Sequence, residues 1–190
     1  MTTSASRRLI AFGILGVFLI PIFGCFVGSL QPLYHPTDPV FDKNLLGVWV
    51  SSDERNTMII SRISSTQQDK QYHLVYITEG GGSVYQATLV EIAKTKYLDV
   101  YSRDPSRRPE VHFVPTHSIW KVTIEGDSLK VVSMNEEWLK EQIDKRVPQF
   151  PAMKVEDDVV LTAGTTELQE FVRGYSDQLF SEEATVWKKK

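Results

Sequence analysis

Between Leu46 and Met134 the chain is a succession of short segments rich in β-branched and aromatic residues, and no stretch between them is long enough to hold a crossover helix. Parallel strands need such a crossover, so this pattern excludes a βαβ architecture and requires hairpin-linked, antiparallel strands. Strands are predicted near Leu46–Ser51, Thr57–Ile63, Tyr72–Thr78, Val84–Ile92, Tyr97–Tyr101, His112–Ile124 and Ser128–Met134, with an eighth near Val155–Leu161. Turn chemistry separates them: Glu79-Gly80-Gly81-Gly82, Ala93-Lys94-Thr95-Lys96 and Glu125-Gly126-Asp127. At the last of these, Gly126 supplies the positive φ of a tight hairpin. Alternation fixes the faces. Trp120, Val122 and Ile124 share one side with Lys121 and Thr123 between them. Leu129, Val131 and Ser133 oppose Lys130, Val132 and Met134, and Leu98 and Val100 oppose Tyr97, Asp99 and Tyr101.

Two helices are predicted late in the chain. Asn135 is placed to cap Glu136–Arg146, with Glu136 and Glu137 in the first turn and Pro148 beyond the end. A second helix runs from Thr165 to about Phe180 on the apolar stripe Leu168, Phe171, Val172, Tyr175 and Leu179. Phe26–Pro39, with Pro32, Pro36 and Pro39, reads as a tether whose end docks through Leu33, Tyr34, Val40 and Phe41. Glu182–Lys190, ending in three lysines, reads as a frayed, solvated tail.

Eight hairpin-linked strands are best satisfied by a closed meander barrel. Gly47-Val48-Trp49, opening the first strand, is similar to the glycine-any-tryptophan signature of lipocalins. That resemblance implies an eight-stranded barrel with the tryptophan packed across its closed end and a helix after the last strand. It spans about Leu45 to Phe180; the extra helix at Glu136–Arg146 departs from the pattern and is expected to cap a barrel mouth. The expected fold is therefore mainly β: an antiparallel, lipocalin-like eight-stranded barrel with two late α-helices, behind an N-terminal signal or anchor helix.

That N-terminal segment begins with Arg7-Arg8, followed by 22 positions, Leu9 to Leu30, without a charged residue. A basic start and an apolar run are the order of a secretory signal. The chain has one cysteine, Cys25, directly behind the run. Ile22-Phe23-Gly24-Cys25 resembles the lipobox of bacterial lipoproteins, although Phe23 stands where that family favours a small residue. The resemblance implies cleavage before Cys25, acylation of its thiol (palmitate being the usual label) and a mature chain that starts there. An uncleaved helix from Leu9 to Leu30 is also long enough to span a bilayer and gives the same topology. In that alternative Cys25 is an ordinary apolar residue of the helix. The resulting division is 1–24 signal peptide or membrane anchor, 25–44 tether, 45–181 barrel domain with its C-terminal helix, and 182–190 charged tail.

Composition narrows the chemistry. With 21 basic against 24 acidic residues the net charge is -3, which argues against nucleic acid as a partner. One cysteine excludes an intrachain disulfide framework. His112 and His117 stand five apart, a spacing that suits neither a strand nor a helix metal site. There is no Gly-x-Ser-x-Gly elbow, and Gly80-Gly81-Gly82 lacks the Lys-Ser/Thr of a phosphate loop. No catalytic residue, metal ligand or cofactor is assigned, and the chain is not read as an enzyme. Arg103–Pro109 is the densest basic patch, a solvated loop or a contact for anionic head groups.

The aromatic set Trp49, Tyr72, Tyr76, Tyr85, Tyr101 and Trp120 either lines a cavity or fills the barrel. Trp49, Tyr76, Tyr101 and Trp120 are the candidate ligand-binding residues, and Cys25 is the candidate lipid-attachment site. Taken together, the sequence predicts a lipoprotein of the bacterial cell envelope, anchored by lipid or helix with its domain outside the cytoplasm. Its expected role is to bind a small apolar or amphipathic molecule or to support the envelope. The alternative is an interaction module that docks another envelope protein.

Overall fold

A computed structural model describes residues 27–63, 70–102, 115–145, 151–156 and 158–190. The signal or anchor segment, Cys25, the basic patch Arg103–Pro109 and His112 lie outside the described residues. In chain order the strands are β1 (Val27–Ser29), β2 (Pro39–Val40), β3 (Gly47–Ser51), β4 (Thr57–Arg62), β5 (Gln71–Thr78), β6 (Gly81–Ile92), β7 (Thr95–Ser102), β8 (His117–Glu125) and β9 (Ser128–Ser133). Helix α1 (Glu136–Asp144) follows, then β10 (Ala152–Val155), β11 (Asp158–Leu161), helix α2 (Thr165–Leu179) and β12 (Thr185–Lys189).

Strands β3 to β9 form an antiparallel meander, each paired with the next, and β12 pairs with both β9 and β3. The result is a closed eight-stranded antiparallel barrel, as the sequence predicts, but its eighth strand is a different one. Val155–Leu161 is not a barrel strand; most of it belongs to the β10–β11 hairpin, outside the ring. The closing strand is Thr185–Lys189, so the solvated-tail reading of Glu182–Lys190 is corrected. Trp187 pairs with Leu129 on one side and Ser51 on the other and is almost wholly buried. Helix α2 accordingly precedes the last strand rather than following it.

The tether reading of Phe26–Pro39 also gives way. Val27–Ser29 pairs in parallel with β11, and Ser29 lies opposite His117 of β8. Leu33 is fully buried, and β2 pairs with β6 at Leu89 and Val90. Docking through Leu33, Tyr34, Val40 and Phe41 is observed: Phe41 stacks on Tyr72 at 5.4 Å. The segment is therefore part of the folded body from Val27 onward.

Two cores share the barrel wall, as period-two strands dictate. The inner one holds Trp49, Ile60, Leu74, Leu89, Leu98 and Leu129. The outer one lies between the barrel and the helices, where Val90, Tyr97 and Ile119 meet Leu139 of α1 and Leu168, Val172 and Leu179 of α2. Asn135 caps α1 as predicted, its side chain accepting the Trp138 N–H at 2.8 Å. Helix α1 does not cover a mouth. Its Trp138 packs on Phe171 and Tyr175 of α2, and Leu139 enters the outer core. Tyr175 departs from helical geometry at φ -123° and is left largely exposed, so the predicted stripe is buried at Leu168, Val172 and Leu179. Among the described residues no helix is long and apolar enough to cross a membrane.

Candidate functional site

One end of the barrel is plugged. Trp49 is fully buried, and its indole N–H donates to the Leu45 carbonyl at 2.8 Å. The Lys189 ammonium sits 5.1 Å from the Trp49 ring, a cation–π contact delivered by the closing strand. Gly47 makes room for it. A Cβ there would meet Lys189 Cε at 2.7 Å, and the backbone φ of +140° is one that side-chain-bearing residues avoid. Tyr72 lies beside this plug, fully buried, its hydroxyl accepting the Asp42 N–H at 2.7 Å and donating to the Asp42 carbonyl at 3.2 Å. Burial pushes the Tyr72 phenol up to about 12. Asp42 is itself pulled upward by burial, but the Lys96 ammonium at 2.7 Å and the Asn44 N–H at 2.9 Å outweigh this and hold it below the ordinary carboxylate value.

Above the plug the side chains stop meeting and a cavity of about 880 Å³ opens toward the other end. Met58, Val100, Trp120, Val131 and Trp187 border it, and Tyr76 meets Trp187 edge-on at 5.8 Å. Burial raises the Tyr76 phenol, with neighbouring Tyr85 and Asp53 adding to the effect. Ser102, Thr116, Ser118, Ser133 and Thr185 contribute hydroxyls. Leu30, Met153, Val155, Asp158 and Val160, all outside the ring, supply the remaining wall.

The register explains why the cavity has a wall from outside the ring. On one edge, β8 pairs with β9 only from Trp120 onward, whereas His117 at its beginning faces Ser29 of β1. The wall thus forks at β8. One branch is β9, and the other is a three-stranded flap, β1–β11–β10.

A buried polar junction secures the base of the flap. Asp99, 1% exposed, receives the Leu33 N–H at 2.7 Å on one oxygen and contacts His117 Nδ1 at 2.6 Å with the other. Tyr101 packs against the His117 ring, tilted by 38° with the ring centres 4.7 Å apart, on the outside of the barrel. Ser29 donates its hydroxyl proton to the Gln31 carbonyl. Helix α2 holds the same arm, through Thr165 Oγ1 to the Pro32 carbonyl and Gln169 Nε2 to the Leu33 carbonyl.

Of the four predicted ligand-binding residues, Tyr76 and Trp120 line the cavity. Trp49 does not; it lies in the plug beneath. Tyr101 does not either, because its strand alternation turns it outward onto His117. From the wider aromatic set Tyr85 lines the cavity and Tyr72 belongs with the plug. Sequence reasoning missed Trp187, although Thr185-Val186-Trp187 carries the β-branched, aromatic signal of a strand; the lysines beside it obscured that signal. Among the described residues there is no group of three or more metal-ligating side chains. Comparison with protein-family models, with curated proteins and with solved structures finds no match.

Proposed function

We propose that this chain binds a small apolar or amphipathic molecule inside its barrel and is held at the surface of the bacterial cell envelope by a lipid on Cys25. The observation that carries the binding half is the cavity. Its volume, about 880 Å³, lies in the range of small-molecule sites, and its lining is mostly apolar with a few convergent polar groups. A barrel filled by its own side chains would instead favour surface docking. The plugged end, where Gly47 and Trp49 meet Lys189, supports the likeness to lipocalins, and the open end gives a ligand its route in. The anchoring half rests on sequence: Arg7-Arg8, the apolar run and Ile22-Phe23-Gly24-Cys25.

Native mass spectrometry of the full-length protein tests binding. A co-purifying mass that is lost on delipidation is the expected result. An empty barrel that leaves Trp120 and Trp187 fluorescence unmoved by any apolar compound would refute the reading. Palmitate labelling tests the anchor. Labelling should vanish in Cys25→Ala, and a chain of unprocessed mass with unchanged labelling removes the lipoprotein proposal.

A further inference from the structure

We propose that the flap is a membrane contact: its cavity-facing side, with Leu30, Met153 and Val155, rests on the bilayer that holds Cys25. The proposal rests on the anchoring proposed above and adds the surface through which the folded body touches lipid.

The flap is apolar on both faces. A sheet that packs one face on a core normally turns polar side chains outward on the other. Val27 of β1, Val159 and Leu161 of β11 and Ala152 of β10 occupy one face and join the outer core. The alternate positions hold Val160, Met153 and Val155, with Leu30 just past the end of β1, and all four border the cavity. Asp158 shares that face, but it is half-buried and already has an interaction partner. Leu30, Met153 and Val155 are 37%, 50% and 47% exposed. Among the described residues six large apolar side chains are exposed to this degree, and these three stand together on one face. Apolar side chains scattered singly over a surface need no explanation, whereas a group on one sheet face marks a contact.

What covers this face follows from the path of the chain. Cys25 stands two residues before Val27, at most about 7 Å from it. Val27 pairs with Val159, and Val155 pairs with Asp158, the residue before it. Val155 therefore lies at the end of the flap where the chain arrives from Cys25, and an anchor there keeps the exposed face within reach of the bilayer. A single acyl chain gives only marginal, reversible attachment unless a second contact supplements it, and apolar side chains that leave water for lipid supply one. Across the ring, the β3–β4 and β5–β6 turns carry exposed Asp53, Glu54 and Glu79, which favour water on that side. Because Leu30, Met153 and Val155 also border the cavity, the contact sets the cavity against lipid.

The test uses the whole chain, made in a bacterial host and reconstituted in phosphatidylcholine–phosphatidylglycerol vesicles. Cys25 is the only cysteine, so once its thiol is acylated a thiol-reactive fluorophore labels only a cysteine introduced elsewhere. At Met153→Cys the label should be quenched by lipids that carry a nitroxide near the head group, and at Glu79→Cys, across the ring, it should not. Equal quenching at the two positions, or none at Met153→Cys in a vesicle-bound chain, overturns the proposal and leaves the anchor standing. Disulfide-linked pairs of Met153→Cys copies in place of quenching point to a second copy as the occupant and overturn it too. A wild-type chain that takes the label at Cys25 refutes the lipid anchor, and the proposal falls with it. Adding Leu30→Ser and Val155→Ser to Met153→Cys should lower the ratio of seated to free flap at least about tenfold, since two large apolar side chains no longer leave water. Circular dichroism checks the fold of that variant, and unchanged quenching in the folded variant overturns the role of this face.

Discussion

Replacing Trp49 by alanine separates the plug from the cavity. The indole is fully buried, so truncation returns about 200 Å² of apolar contact to solvent or to a void, worth about 5 kcal/mol at 25 cal/mol per Å². The bond to the Leu45 carbonyl and the Lys189 cation–π contact each add about 1 kcal/mol. Some of this is recovered as Lys189 and neighbouring leucines relax into the space, which leaves an expected loss of about 4–6 kcal/mol, at or just above the upper end of measured large-aromatic truncations. With a urea slope of about 2 kcal/mol per M, the unfolding midpoint should fall by about 2–3 M. Trp120 is the control. It is only half-buried, and one side of it already faces the cavity, so Trp120→Ala should cost about 1–2 kcal/mol while weakening capture of an apolar probe. Equilibrium unfolding followed by circular dichroism, with probe titration on the same samples, reads both effects. A Trp49→Ala midpoint within about 0.5 M of wild type, or an unfolding cost for Trp120→Ala equal to that of Trp49→Ala, would refute the division of the barrel into plug and cavity.

Other consequences are equally direct. Deleting residues 185–190 removes the strand that joins β9 to β3, so cooperative unfolding should be lost. The double variant Lys188→Ser, Lys190→Ser should unfold within about 0.5 kcal/mol of wild type, since both lysines are exposed. Asp99→Ala strips the Leu33 amide of its acceptor and His117 of its partner; a cost of about 2–3 kcal/mol is expected, with faster hydrogen exchange at Leu33 as the site-specific check. Asp42 is held below its ordinary value in the folded state, so its contribution to stability is complete above about pH 4 and is lost as pH falls through the folded value. Asp42→Asn should therefore lower the urea midpoint at neutral pH and converge with wild type in acid.

The barrel was legible because its strands alternate cleanly and its turns are short. The register confirms the faces read from sequence at Leu98 and Val100, at Trp120, Val122 and Ile124, and at Leu129, Val131 and Ser133. Period two says which residues share a face but not which strand is the neighbour, and that is where the reading failed. Val155–Leu161 and Thr185–Lys189 are both plausible strands on local grounds. Only the ring decides, because β12 must reach back across the whole chain to β3. Charge misled in the same place. Lys189 looks like part of a solvated end, yet the alternation that buries Trp187 also turns Lys189 inward, where its ammonium caps Trp49. Tyr101 shows the converse: its inclusion among the ligand-binding residues ignored that Leu98 and Val100 already claim the inner face of β7.

Whether a small barrel is hollow depends on more than the size of its inward residues. Here the lower barrel is filled by large side chains from all around the ring, Trp49 and Tyr72 among them. Near the mouth β7, β8 and β9 turn to Ser102, Ser118 and Ser133, residues too small to reach across. Small residues alone would let a closed ring narrow around them. The fork at β8 prevents this, because β9 ends at Ser133, opposite Trp120, and β8 runs past it to lie beside β1 at His117 instead. The flap is held in turn by Asp99, Leu33 and α2, elements of the outer core. The cavity inside the barrel is therefore maintained from outside it. Asp99→Ala should change the rate at which an apolar probe exchanges with the cavity, read by stopped-flow fluorescence, even though none of Asp99, His117 and Leu33 lines it.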